Sequence, residues 1–187
     1  LSKQDIIGYD PWLHGVTEIE AFRAVCQEAG ATLRAVTRNP LDQVWVERPP
    51  LPLGPVIPHP DAIAGQTSAD KRQALAQDLI KAKLDLAVIT SPDSIAWLLN
   101  IRGNDVAHTP LPLSYAFLHA SGQVDLFIDE RKLTSAARCH LGNEVHILSP
   151  HDFTAALKRH GQNKSRILID ARSAPAACRE WRRRAHR

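Results

Sequence analysis

The sequence predicts an α/β protein with a mixed β-sheet and helices on its faces. Three observations carry this. From residue 68 onward, amphipathic helical runs alternate with short apolar strands. Two of those strands, LSYAFLHA (113–120) and QVDLFID (123–129), meet at Ser-Gly-Gln, a hairpin signal that puts one antiparallel pair into the alternating order. A proline cluster separates this run from a shorter α/β stretch at the start.

The elements follow in order. Ile6 and Ile7 begin a short strand. A helix is expected from about 17 to 29, with Thr17 as N-cap and Glu20 three residues on, the capping-box spacing. Its apolar face holds Ile19, Phe22, Ala24, Val25 and Cys26, and Gly30 stops it. ATLRAVT (31–37) alternates as a strand does. Asn39 caps a short helix with Pro40 in its first turn. Residues 1–47 therefore read as the end of a first α/β domain whose beginning lies outside the sequence.

Six of the 13 prolines fall between Pro49 and Pro60. So much proline excludes a helix or a central strand and predicts an extended, semi-rigid connector over 48–67. The second domain is expected over 68–187. Ser68 caps a helix with Leu75, Leu79 and Ile80 on one face and charges on the other. DLAVITS (85–91) is a compact buried strand, and SPDSIAWLLN (91–100) a short helix with Pro92 in its first turn. After the hairpin come a helix ended by Gly142, the strand EVHILS (144–149) and a helix capped by Ser149 and stopped by Gly161. The strand SRILID (165–170) and a last helix from about Ala174 complete the pattern.

The chain has 187 residues, 44% hydrophobic and 23% charged, as globular domains do. No run approaches the roughly 18 apolar residues that span a bilayer, and no signal-peptide pattern opens the chain. The sequence starts at Leu1 and contains no Met, so the natural N-terminus is expected upstream. Net charge is +3, much of it in CREWRRRAHR (178–187). Without aromatic interleaving or a second basic stripe, this tail reads as a solvated helix end, not a nucleic-acid site. Cys26, Cys139 and Cys178 have no metal spacing and read as buried or half-buried thiols in a reducing compartment.

No catalytic constellation emerges. Nine histidines include no HxH or HExxH. His146 and His151 flank a strand-to-helix turn and share no face. Asp125 and Asp129, four apart, are expected on one side of a strand, an arrangement able to hold one metal but read here as the edge of an exposed hairpin. Cys139 and His140 diverge on their helix, and there is no G-x-S-x-G elbow, P-loop or G-x-G-x-x-G. The unusual stretch is DSIAWLLNIRGNDVAHTP (93–110), where an apolar helix ended by Gly103 runs into a polar loop. Two readings of Arg102, Asp105 and His108 stay open. Arg102 and Asp105 form a buried ion pair fixing a turn, or the loop faces a neighbouring domain or subunit across a cleft.

DSIAWLLNIRGNDVAHTPLPLSYAFL, with IGYDPWLH and NPLDQVWVERPPLP before it, resembles the long, three-domain Xaa-Pro aminopeptidases of the creatinase–prolidase family. The resemblance implies a three-layer fold like that of the creatinase N-terminal domain, preceded by a partial α/β domain. It implies a parent that removes the residue before proline from peptides, with two Mn2+ ions held by two Asp, one His and two Glu of a downstream catalytic domain. No catalytic or metal-ligating residue is carried over to this chain. The resemblance further implies a proline-containing peptide substrate, contact with the parent's own catalytic domain, a homodimer and a cytoplasmic location, with neither nucleic acid nor membrane as partner.

Overall fold

The computed structural model describes residues 1–179; the basic run 180–187 and most of the expected last helix lie outside them. The described chain forms two units, residues 1–51 with 170–179, and residues 52–169.

In the first unit, β1 (Ile6–Tyr9) and β2 (Thr32–Ala35) pair in parallel, joined by α1 (Val16–Glu28). Parallel pairing demands such a crossover helix. The cap differs from expectation. Gly15 is the N-cap, and Thr17 Oγ1 instead donates to the Ala171 carbonyl at 3.1 Å. Tyr9, Ile19 and Ala176 form the small core, whereas Phe22 and Val25 are exposed. With only two strands, this sheet covers just part of the helix's apolar face. At α2 (Pro40–Val44) the expected start holds, the Asn39 side chain accepting from Leu41 N. Cys26 and Cys178 are buried, and burial pushes the Cys178 thiol up to about 12.

The proline segment is not a bare connector. Its prolines keep it out of long elements, but β3 (Ile57–Pro58) and the one-turn helix α3 (Asp61–Ala64) form within it. Val56 is fully buried and donates its N–H to Lys132 O at 2.7 Å.

The second unit is built on a five-stranded sheet. Its strands are β4 (Leu86–Ile89), β6 (Tyr115–His119), β7 (Val124–Phe127), β8 (Val145–Leu148) and β9 (Ile167–Ile169), in the order β8-β7-β6-β4-β9. β6 is antiparallel to both neighbours; β7–β8 and β4–β9 are parallel, so the sheet is mixed as the sequence predicts. A two-residue strand, β5 (Ile101–Arg102), pairs with β3 apart from this sheet.

On one face, Leu118, Val124 and Leu126 pack with α4 (Ser68–Lys81), α5 (Pro92–Leu99) and α6 (Ser135–Leu141) through Leu79, Leu98 and Ala137. On the other, Tyr115, Phe117 and Phe127 meet Phe153 of α7 (Phe153–Gln162) at ring distances of 4.5–5.3 Å. Burying each such ring is worth about 1.5–3 kcal/mol. Helices on both faces give three layers.

Helix boundaries shift in ways that tertiary contacts explain. Thr67, not Ser68, caps α4, accepting from Asp70 N. Ile80 is exposed, while Lys71 and Arg72 are buried. Their charged ends reach carbonyls across the fold, Arg72 Nη1 donating to Gly122 O at 2.6 Å. Ser149 caps a 3-10 turn (Pro150–Asp152) that precedes α7, and α7 passes through Gly161 to Asn163. Cys139 is exposed, not half-buried.

Candidate functional site

The stretch 93–113 rests on two polar hubs. The first is Asn100. α5 ends here, not at Gly103, because Asn100 adopts the left-handed conformation (φ 48°, ψ 52°) that closes a helix. Asn100 is buried, and its side chain is fully engaged. Oδ1 accepts from Lys71 Nζ at 2.6 Å, and Nδ2 donates to Asp61 Oδ1 and Gln66 O, both at 2.8 Å. Lys71 Nζ also donates to Trp97 O and lies 4.6 Å from the Trp97 ring centre, a cation–π contact. Burial pulls the Lys71 pKa down, and nearby Arg102 adds to this.

The second hub is Asp105, whose side chain is 0% exposed. Its partner is Lys132, 5% exposed, at 2.6 Å. Backbone N–H groups of Gly54 and Leu113 also donate to the carboxylate, at 3.2 and 2.7 Å. The expected Arg102–Asp105 ion pair is not formed. Arg102 turns back on its own strand and on α5, Nη1 donating to Ile101 O at 2.9 Å and to Ala96 O at 3.5 Å. Once Asn100 has ended the helix, β5 separates the two side chains into different contacts.

Arg102, Asp105 and His108 therefore play unlike parts. Asp105 is a buried clamp joining the proline segment, the loop and the Glu130–Lys132 turn. Arg102 is half-buried beside Trp97, itself 50% exposed. His108 is exposed at the loop tip with φ 59°. Trp97, which the apolar run suggests is core, instead adds an aromatic face to the outside of the loop. Gly103 is required for close approach: a Cβ there would sit 2.6 Å from Pro112 N. Gly103→Ala should lower stability by about 1–3 kcal/mol as a shift in the urea midpoint. An unchanged midpoint would show that the loop gives way freely.

A further set was not visible as a motif. His119 Nε2 lies 3.0 Å from Asp125 Oδ2, and His146 Nδ1 lies 3.1 Å from Asp125 Oδ1. His160 joins from α7, its ring centre 5.7 Å from that of His119. The register explains the meeting. Asp125 pairs with His146 across β7–β8 and with Phe117 across β6–β7, and His119 shares the face of Phe117 two residues away. Two histidine partners hold the Asp125 carboxyl below its usual range, and burial holds the His160 pKa down. Asp129 is not on this strand face. β7 ends at Phe127, and Asp129 binds Arg131 in the next turn, which lowers its pKa to about 2.

A three-layer α/β unit with a mixed five-stranded sheet flanked by helices is the architecture of a domain of the creatinase N-terminal type. The chain belongs to the creatinase/prolidase N-terminal domain family, whose model matches residues 47–186. It is 34% identical over 160 residues to "Aminopeptidase P1" of Lotus japonicus, covering 84% of this chain and 24% of that protein. It is also 34% identical over 164 residues to a "Probable Xaa-Pro aminopeptidase P" of Ajellomyces dermatitidis (strain ER-3 / ATCC MYA-2586), covering 86% and 26%. The X-prolyl aminopeptidase of Caenorhabditis elegans, described as a cytosolic enzyme with a di-nuclear active site, superposes with a TM-score of 0.82 at 29% identity. That match covers 95% of this chain and 30% of the other. The chain thus spans about a quarter of the length of the curated relatives it matches. Among the described residues, no helix is long and apolar enough to cross a membrane.

Proposed function

We propose that this chain is the noncatalytic N-terminal and middle portion of a metal-dependent Xaa-Pro aminopeptidase. In this reading residues 1–47 are the end of a first domain, 48–67 join it to the next, and 68–187 carry the middle domain. The observation that carries the reading is the similarity to Xaa-Pro aminopeptidases along more than four-fifths of the chain, together with the shared architecture. The parent is a cytoplasmic homodimer that removes the residue before proline. Its two Mn2+ ions sit in a catalytic domain beyond this chain, whose own residues supply no catalytic group.

The task left to this portion is to wall the substrate cleft or form the subunit interface. Arg102 and His108 are the groups placed for it, on the loop that Asp105 holds in position. An arginine fork suits a peptide carboxylate or carbonyl, and a partly dry cleft strengthens any such contact.

The test uses the full-length parent. Arg102→Ala should raise KM or weaken the dimer while circular dichroism stays unchanged. If KM, kcat and sedimentation all match the wild type, the loop only closes a turn. The chain alone should show no Xaa-Pro peptidase activity with added Mn2+. A reading frame that stops shortly after Arg187 would favour a stand-alone binding module instead.

A further inference from the structure

We propose that His119, Asp125 and His160 form a binding site for a divalent transition-metal cation of the Zn2+ type. One donor atom from each lies within 4.8 Å of the other two. They come from three separate elements, β6, β7 and α7, so the sheet and the helix packed on it fix the site. Two borderline imidazoles and one hard carboxylate are a donor set that the borderline ion Zn2+ takes, with bonds of about 2.0–2.2 Å. At that length tetrahedral ligand atoms stand roughly 3.3–3.5 Å apart. The His119–Asp125 pair, hydrogen-bonded at 3.0 Å, stands a few tenths of an ångström inside this spacing, so a metal taking the place of the shared proton opens it slightly, and an inward turn of His160 from within 4.8 Å completes the set.

The surroundings suit a cation. His160 Nδ1 is 3.4 Å from Ser165 Oγ, which orients the ring and leaves Nε2 to face the cluster. His146 holds the second oxygen of Asp125 at 3.1 Å and so aims the first at His119. This is the outer-partner arrangement that orients metal ligands. Phe117 packs edge-on against His160 at 5.7 Å and walls the inner side. The His119 and Asp125 side chains are themselves 24% and 19% exposed, so the outer side opens to solvent, giving an entry path and a fourth position for water.

The 187-residue chain is titrated at neutral pH with ZnCl2 by calorimetry and with CoCl2 by visible absorption. One Zn2+ per chain is expected, with an intense d–d spectrum typical of four-coordinate Co2+. His119→Ala and His160→Ala should each weaken binding about a hundredfold, and Ser165→Ala about tenfold. His14→Ala, in the other unit, should change nothing. Asp125→Asn, nearly isosteric, repeats the test should a histidine variant fail to fold. Absence of saturable binding overturns the proposal. So does binding that is insensitive to the His119, Asp125 and His160 variants.

Discussion

Asp105→Ala is expected to destabilise the second unit by about 3–5 kcal/mol, the cost of stripping one partner from a buried ion pair. Three donors lose their acceptor at once: Lys132 Nζ and the N–H groups of Gly54 and Leu113. Lys132 keeps only the Leu113 carbonyl, at 3.2 Å. Urea unfolding of the chain reads the loss. Removing both charges separates the pair's own worth from the penalty of orphaning one. Asp105→Leu combined with Lys132→Met should recover much of the loss, because apolar replacement of a buried pair is often near neutral. Should Asp105→Ala cost under about 1 kcal/mol, like an exposed pair, water reaches Lys132 and the clamp is not buried in solution.

Asn100→Ala is expected to cost about 3 kcal/mol. Two terms contribute. An alanine in the left-handed region costs about 1–2 kcal/mol, and a hydrogen bond to a charged group contributes about 1.5–3 kcal/mol. Lys71 retains Trp97 O, which moderates the second term. Asn100→Gly keeps the backbone conformation and removes only the amide, so it should be the milder variant by about 1 kcal/mol. Thermal and urea midpoints rank the two. A glycine variant as stable as the wild type would mean that the amide network adds nothing and Asn100 serves its backbone alone.

The main-sheet strands and their one hairpin were legible, because Ser121-Gly122-Gln123 marks a turn between the apolar runs LSYAFLHA and QVDLFID, whereas the remaining pairings and the short β3–β5 ladder were not. The helix ends were less so. Asn100 and Asn163 end helices where the nearby glycines 103 and 161 are the more obvious stops. Buried charges were the least legible. Lys71, Arg72 and Lys132 look like solvated helix and turn residues, and what buries them is an acceptor brought close by the fold, as Asp105 is across 27 residues. Arg102 and Asp105 suggested a pair by proximity in the chain, but β5 sends them apart. The His119–Asp125–His160 group spans 41 residues and three elements, so no spacing rule could find it. The hairpin register does predict the His119–Asp125 half, and the parallel β7–β8 pairing adds His146.

The proline segment has a consequence for where this protein can be divided. Val56 fills the core, Gly54 is tied to Asp105, and β3 covers the end of α5 through β5. A severed copy starting at Ser68 would carry every strand of the main sheet and still have a hole where Val56 belongs. Recombination or gene fusion that respects the fold has to cut ahead of Pro52, so what the composition marks as a connector is inherited together with the domain that follows it.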